Sequence, residues 1–350
     1  MSRRKYLAEA GLHLYSTGAT VTAPSHLHQL AKTSKTDPNL QALLEGCNLY
    51  AIVRRQRITC DPMTLRISDG HIYGDFRVHN GFDYERTPFA SKKRFPEGTA
   101  VLARDGGTMV HIGGQWGQFD MPIYRWIGEC SHSLAKELDL DVLYIGQSWG
   151  GKGERHAIHR LVAHTTLQRI LADTLAYCPD QEILTLLFKC EYQRNIISTA
   201  GDFSLTPEAT DEEESAHFSS VQNAMTSRRN RISLAEAALI SHFKPLYNFT
   251  FRDWKPSKKQ KILQELIELD FSALTVELNT AQINAKLFSD RCPKRDVEAQ
   301  LRAAGFDPGR VSKEEAREFL SNMSHAIYAN VPLHSKEERE TFLHSMPWNV

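Results

Sequence analysis

The stretch D-V-L-Y-I-G-Q-S-W-G-G-K-G-E-R-H-A-I-H-R-L-V-A-H, residues 141–164, changes character along its length. Its first six residues are mostly apolar and rich in strand-forming side chains, which predicts a buried β-strand. A glycine-rich turn follows, and the last ten residues carry apolar side chains at helical spacing, which predicts a helix. Glycines, cations and histidines after a buried strand can hold phosphate, move a proton or bind a metal.

The residues around this stretch alternate between strands and helices. Within residues 119–252, strand-like segments are M-P-I-Y-R-W-I-G, D-V-L-Y-I-G and E-I-L-T-L-L-F, and helical segments are R-H-A-I-H-R-L-V-A-H, L-Q-R-I-L-A-D-T-L and S-L-A-E-A-A-L-I-S-H-F. Pro245 is expected to end the last of these helices. We interpret the polar, acidic stretch before that helix as an insertion.

The flanking segments predict two further parts. Residues 1–118 contain a short helical stretch, N-L-Q-A-L-L-E-G, and then short β-rich runs separated by Gly and Asp turn signals, which predicts an N-terminal β-rich domain. Residues 253–350 predict an α+β segment with strands at A-L-T-V-E-L-N and A-I-Y-A-N-V and late helices at K-E-E-A-R-E-F-L and K-E-E-R-E-T-F-L. The expected fold class is therefore α+β.

Composition restricts the class of protein. The chain has 350 residues, of which 41 % are hydrophobic, which is enough for more than one folded core. Its 42 basic residues balance 42 acidic ones, so any nucleic-acid surface must be local. The six cysteines form no C-x-x-C pair, which argues against a zinc knuckle and a disulfide framework. The sequence has no membrane-length apolar run and no secretory signal, which predicts a cytoplasmic location.

Two cations and a tyrosine are expected to meet near the end of the quoted strand. On a helix through residues 155–164, Arg160 and His164 lie one turn apart and flank an apolar face. Arginine offers a fork of donors to phosphate, and histidine can accept or give a proton at neutral pH. Tyr144 ends its strand at the same edge. Either cation could instead belong to a solvated helix flank, and Tyr144 could be an ordinary strand aromatic.

Glu236 and Asn248 are the other candidates, and each has a structural alternative. Glu236 is the lone carboxylate in the apolar run A-E-A-A-L-I, as expected of a magnesium ligand when water and phosphate complete the coordination. The sequence Ser233-Leu-Ala-Glu236 also has the spacing of a capping box, which would explain Glu236 without metal. Asn248 follows Pro245 and could merely close the helix.

The ordered set Tyr144-Ile145-Gly146, Arg160, His164, Glu236 and Asn248 resembles the motifs of the GIY-YIG nuclease family. The resemblance covers residues 119–252 and includes the order of the strands and helices. The first motif of the family precedes Y-I-G on a neighbouring strand, and Pro122-Ile123-Tyr124 is the candidate for it. The interval between His164 and Glu236 is long, which the acidic insertion would explain.

The resemblance implies metal-assisted hydrolysis of phosphodiester bonds in DNA. Glu236 would hold Mg²⁺ or another divalent cation such as Mn²⁺, Arg160 would brace the phosphate, and Asn248 would orient the metal shell. Tyr124 or Tyr144 would orient or deprotonate the attacking water, with His164 taking up the proton. The cations expected to contact the DNA backbone are Lys152, Arg155, Arg228, Arg229 and Arg231.

Two functions from different classes follow. The first is a DNA endonuclease, compatible with restriction, repair or defence and, for cutting both strands, with a homodimer. The second is a catalytically inactive module of the same fold that binds nucleic acid or a protein partner. No small-molecule cofactor is apparent in the sequence.

Overall fold

The protein has a mixed α+β fold. A computed structural model describes residues 5–16, 18–149, 157–190, 192–198, 208–255, 260–297, 299, 302 and 323–334. Lys152 and Arg155, and the two late helices expected from the sequence, lie outside the described residues. Among the described residues, no helix is both long and apolar enough to span a membrane.

The described residues form strands in four sheets, with helices packed against them. The strands are β1 Glu9–Tyr15, β2 Ala19–Thr22, β3 Cys47–Gln56, β4 Ile58–Cys60, β5 Arg66–Ser68, β6 His71–Asn80, β7 Asp83–Ser91, β8 Ala100–Arg104, β9 Met109–Gly114, β10 Gly117–Pro122, β11 Cys130–His132, β12 Leu140–Gln147, β13 Gln181–Lys189, β14 Tyr192–Ser198, β15 Phe271–Asn279, β16 Leu287–Phe288 and β17 Ala326–Pro332. The helices are α1 Leu27–Thr33, α2 Pro38–Leu44, α3 Ile123–Trp126, α4 Ala157–Leu161, α5 Thr165–Tyr177, α6 Asp211–Asn223, α7 Arg228–Phe243 and α8 Lys261–Glu268.

A five-stranded sheet in the order β16-β12-β3-β13-β2 lies at the centre. Strand β3 is antiparallel to both β12 and β13, and β16 pairs with β12 over only two residues. Alternate residues of β3 enter different cores, as the pleat of a strand requires. Leu49, Ala51 and Val53 belong to a core shared with α7, whereas Tyr50 and Ile52 belong to a core shared with α4 and α5. Burial on both faces explains the nearly continuous apolar run in β3.

A second sheet, in the order β14-β1-β15-β17, packs into the same core as α7. Strand β1 runs antiparallel to β14 and parallel to β15. A strand from the first part of the chain therefore lies between strands from its middle and last parts. Helix α7 carries Leu234, Ala238 and Leu239 into this core, so the second sheet supports one side of the central helix.

The residues between β3 and β12 form two small antiparallel sheets, β11-β7-β6-β4 with β5, and β10-β9-β8. Their core contains side chains from Ile58 to Leu138 and none from outside this range among the described residues. This β-rich part is therefore an insertion in the connection between two neighbouring strands. The sheets consequently divide the chain differently from the consecutive segments 1–118, 119–252 and 253–350, because β2 and β3 lie in the central sheet and β1 pairs with β15.

Most of the elements expected within the described residues form, but M-P-I-Y-R-W-I-G and the acidic stretch differ from expectation. The segment M-P-I-Y-R-W-I-G was expected to be a strand, but α3 begins at Ile123 directly after Pro122. Ile123, Trp126 and Ile127 enter the core of the insertion, and their i, i+3, i+4 spacing is that of a helix. The acidic stretch contains helix α6, which starts with a capping box between Thr210 and Glu213.

Candidate active site

Two tyrosines meet on adjacent strands of the central sheet. Tyr50 of β3 is opposite Gly146 of β12, and the ring centroids of Tyr50 and Tyr144 lie 6.2 Å apart. The pairing register shifts between Val142 and Tyr144, and Leu143 and Tyr144 both contact the core that contains Tyr50. A bulge of this kind re-aims side chains. It places Tyr144 on the same face of the sheet as Tyr50.

The structure places Tyr50, and not Tyr124, beside Tyr144. Tyr124 lies on α3, where its hydroxyl is 3.0 Å from Nδ1 of His26 and lines a separate cavity of about 510 Å³. Sequence analysis missed Tyr50 because the insertion separates the two paired strands by a long stretch of chain. The sequence feature that could have identified Tyr50 is its place in N-L-Y-A-I-V, where it is the one tyrosine in an apolar strand.

Arg160 reaches the tyrosine pair from α4. Ala157, Ile158 and Leu161 bury one side of this short helix, and Arg160 lies on the remaining side. Its Nε donates to the Tyr50 hydroxyl over 3.3 Å. Burial raises the pKa of Tyr50 well above its ordinary range, which the charge of Arg160 partly offsets. The guanidinium therefore touches the site while retaining further donors for an anion.

His164 is not on the same helix as Arg160, contrary to the sequence expectation. Helix α4 ends at Leu161, and His164 is the N-cap of α5, where its Nδ1 accepts the Leu167 amide over 3.1 Å. The neutral ring is thus assigned its proton on Nε2. Burial and the nearby charge of Arg160 lower the pKa of His164. Its ring packs edge-on against Tyr144 at 5.1 Å.

Glu236 lies inside α7, so the capping-box explanation of this residue is wrong. The helix begins two turns earlier, where Ser227 caps the Asn230 amide. The Glu236 carboxylate accepts a 2.7 Å hydrogen bond from Nε2 of Gln147, the last residue of β12. Burial raises the pKa of Glu236 to about 7, although the bond from Gln147 and the charge of Arg160 oppose this rise. Burial raises the pKa of Tyr144, and the charge of Glu236 raises it further.

Asn248 forms hydrogen bonds to the backbone of β12 on the side of the strand that faces away from β3. Its side chain both accepts from the Ile145 amide over 2.8 Å and donates to the Ile145 carbonyl over 2.9 Å, and the Tyr247 amide donates to the Leu143 carbonyl. The amide of Asn248 is thus occupied by the backbone of the Y-I-G strand. It neither closes α7, which ends at Phe243 with Lys244 as its C-cap, nor contacts Glu236 through a hydrogen bond.

A cavity of about 400 Å³ opens at this edge, and Tyr144, Arg169, Glu236 and Asn248 are among the residues that line it. Within the described part of the chain, no three His, Cys, Asp or Glu side chains come together as a metal site. A lone carboxylate in an open cavity is suited to a cation that takes most of its ligands from water and phosphate, as Mg²⁺ does. A bound cation would favour the charged form of the carboxylate and would therefore lower the pKa of Glu236.

The cations expected to contact nucleic acid differ in their surroundings. Arg228 donates to the Asn48 side chain over 2.9 Å, and Asn48 in turn donates to the Ser148 carbonyl, so Arg228 is tied to the end of β12. Arg231 donates to the Thr226 carbonyl over 2.5 Å. Arg229 is exposed. Arg229 is therefore the one of these three whose side chain faces solvent most fully.

The described part of the site thus brings together Tyr50, Tyr144, Arg160, His164 and Glu236, with Asn248 behind them. Comparison of the chain with known proteins finds no matching family model, no similar curated protein and no similar solved structure.

Proposed function

We propose that this protein is a metal-dependent endonuclease of the GIY-YIG type that hydrolyses phosphodiester bonds in DNA. The observation that carries the proposal is the convergence of Tyr50, Tyr144, Arg160 and Glu236 on one edge of the central sheet. These residues come from β3, β12, α4 and α7, of which only β12 and α4 are close in sequence. A cationic fork, two hydroxyls and a carboxylate lie close together, and Tyr144 and Glu236 line one cavity. These groups match the requirements of phosphoryl chemistry.

Glu236 would hold the divalent cation through its carboxylate. The cation would supply charge stabilisation for the leaving oxygen. Gln147 holds the Glu236 carboxylate in place, and Ser233 Oγ donates to Oε1 of Gln147 over 3.2 Å. This arrangement fixes the direction in which the carboxylate points before any ligand is bound, which lowers the cost of binding.

Arg160 would stabilise the charge that develops on the phosphate. Its Nε is engaged by Tyr50, which orients the plane of the guanidinium and leaves its terminal nitrogens to donate to the non-bridging oxygens. The pKa of Tyr50 and that of Tyr144 are both raised by burial, so both hydroxyls are neutral at physiological pH. The half-buried Tyr144 hydroxyl can accept a hydrogen bond from the attacking water and orient it, while the fully buried Tyr50 holds Arg160. The proton that the water loses would pass through solvent to the departing oxygen, whose bond to phosphorus breaks.

His164 would position the tyrosines and would not receive the proton. Protonation at Nδ1 would break its hydrogen bond to the Leu167 amide, and burial already disfavours the charged ring. The Nε2 proton remains available as a donor. Asn248 would keep β12 in register at the cavity through its two hydrogen bonds to Ile145.

The proposal is tested by incubating the full chain with supercoiled plasmid in Mg²⁺, in Mn²⁺ and in EDTA. We expect nicking that requires the cation, that is abolished in Glu236→Gln and that falls by about 10²-fold or more in Arg160→Gln. Glu268→Gln, at an exposed glutamate of α8, is the matched control. Folded protein that binds DNA but cuts neither plasmid, single strands nor RNA would instead identify a binding module.

A further inference from the structure

A further cavity, of about 460 Å³, adjoins the candidate active site and is lined mainly by basic side chains. Lys244, Arg252 and Arg291 line it together with Phe249 and one carboxylate, Asp253, so its charged side chains give a net formal charge of +2. Phe249 also lines the cavity that contains Glu236. The two cavities therefore lie side by side, with Phe249 between them.

Two segments bring these cations together, the loop that follows α7 and a tight turn after β16. Lys244 is the C-cap of α7 and adopts the left-handed conformation, with φ of 48°. Arg252 belongs to the loop that follows α7. Arg291 lies in a tight turn in which Ser289 and Cys292 pair, and the Ser289 hydroxyl donates to the Phe243 carbonyl at the end of α7. The turn is thus fastened to the helix that carries Glu236.

The loop between Lys244 and Arg252 presents an aromatic ring to solvent. Phe249 is 80 % exposed, although it follows the buried Asn248 directly. The loop is anchored at its far end, because the ring of Phe251 packs edge-on against buried Trp254, whose indole donates to Gln260 over 2.9 Å. An anchored loop that exposes an aromatic ring between a basic cavity and a carboxylate-lined one is typical of nucleic-acid contact surfaces.

Neutralising the negative end of the α7 dipole would not account for these features. Such a role needs one cation in the last turn of the helix. It needs neither Arg291 from a distant segment nor an exposed phenyl ring. The excess of positive side chains and the exposed Phe249 ring together fit a ligand that carries anionic groups and aromatic groups in alternation. A nucleic-acid strand, with its phosphates and bases, has this chemistry.

We propose that Lys244, Arg252 and Arg291 hold backbone phosphates of the DNA strand adjacent to the phosphate that is cut, and that Phe249 stacks on a base or sugar between the two. This inference rests on the proposed nuclease function, and it specifies the path of the DNA strand over the protein surface. The strand runs from the Glu236 cavity across Phe249 into the basic cavity. Neither the loop nor Arg291 belongs to the tyrosine, arginine and glutamate set described above.

The test is fluorescence-anisotropy titration of a labelled duplex DNA with the full chain in EDTA, across about 50 to 200 mM KCl. The variants are Arg252→Gln/Arg291→Gln and Phe249→Ala, with Arg194→Gln as the control because Arg194 is an exposed arginine on β14, outside both cavities. The double variant should bind at least about tenfold more weakly at low salt and reduce the steepness of the salt dependence by about two charges. Phe249→Ala should weaken binding about fivefold or more without changing that steepness.

The outcomes separate this inference from the nuclease proposal. Wild-type affinity and salt dependence in the double variant, in a protein that still nicks plasmid, would overturn the strand path alone. A wild-type chain that neither binds nor cuts DNA would overturn both proposals. An RNA duplex of the same sequence is titrated in parallel, and binding restricted to RNA would overturn the assignment to DNA.

Discussion

The backbone of Gly146 lies so close to Tyr50 that a Cβ at position 146 would stand 2.6 Å from the tyrosine hydroxyl. The same atom would lie 2.8 Å from Cε1 of Tyr144. The glycine of the Y-I-G sequence is therefore explained by the contact between the two strands, since the Cβ of any other residue would occupy the space in which the two tyrosines meet.

Gly146→Ala is expected to disturb the tyrosine pair more than the fold. Overpacking of this kind costs about 1 to 3 kcal/mol, and a displacement of catalytic groups by about 1 Å lowers rates by about 10²-fold. Plasmid nicking and thermal unfolding are the measurements. Gly128→Ala is the matched control, because a Cβ there meets nothing within 4 Å. Equal nicking rates in Gly146→Ala and the parent protein would show that the ring positions do not matter.

Tyr50→Phe and Tyr124→Phe distinguish the two candidates for the first-motif tyrosine. Tyr50→Phe removes the hydroxyl that accepts from Arg160 and keeps the ring. We expect the nicking rate to fall by about 10²-fold or more. Tyr124→Phe removes a hydroxyl that contacts His26 and Thr22, away from the tyrosine pair, and should leave nicking unchanged. The reverse ranking would restore Tyr124 to the site.

Glu236 should make both metal binding and stability depend on pH. The unfolded chain releases this proton near pH 4.5 and the folded protein near pH 7, so between these values the folded state binds more protons and the free energy of unfolding falls as pH rises. Glu236→Gln should remove this loss and raise the free energy of unfolding at pH 8 by about 1 to 2 kcal/mol, after allowance for solvent screening. At pH 5 the gain should be absent.

The affinity for a divalent cation should depend on the protonation state of Glu236. A cation binds the carboxylate, so its affinity should increase about tenfold per pH unit below pH 7 and level off above it. Calorimetric titration with Mn²⁺ at pH 5.5, 6.5 and 8 measures this directly. Affinity that is constant across the range would place the cation elsewhere, and Glu236→Gln should bind weakly at every pH.

His164 should behave as a helix cap. His164→Ala removes the acceptor of the Leu167 amide and should lower the free energy of unfolding by about 1 kcal/mol, whereas His164→Asn supplies a new acceptor and should recover most of it. In nicking assays His164→Asn should stay within about tenfold of the parent protein. A loss of about 10³-fold in a well-folded His164→Asn variant would return the proton-accepting role to this residue.

Asn248→Asp should destabilise the edge of β12. The substitution replaces the amide that donates to the Ile145 carbonyl with a carboxylate that faces it, which is expected to cost about 2 to 4 kcal/mol. Chemical denaturation measures the change. Asn39→Asp, at an exposed position in the first turn of α2, is the control and should change stability by less than about 0.5 kcal/mol.

Local sequence patterns predicted the elements that depend on local interactions. The strand at Tyr144, the helix after Thr165 and the apolar helix around Glu236 follow from side-chain periodicity. The pairing of β12 with β3 could not be predicted in this way, because the partner of a strand is set by long-range contacts and here lies on the far side of an inserted domain. Tyr50 was missed for that reason.

Two other errors have local causes. Histidine is not among the usual N-cap residues, so the break between α4 and α5 at His164 left no signal and the two helices were joined. Ser233 and Glu236 have capping-box spacing in the middle of a helix whose actual cap is Ser227, since a four-residue pattern does not show whether the chain is already helical. Asn248 was recognised as important, but its two bonds to Ile145 depend on tertiary structure.

The insertion between β3 and β12 also affects how the chain is made. Both sheet neighbours of β3, β12 and β13, follow the insertion in sequence. At ribosomal rates of about 5 to 20 residues per second, an apolar β3 waits roughly 4 to 16 s before its first neighbour is synthesised. The insertion has its own core and can fold during this interval. Folding it brings its two ends into position, so that nascent β12 meets β3 rather than another exposed strand edge.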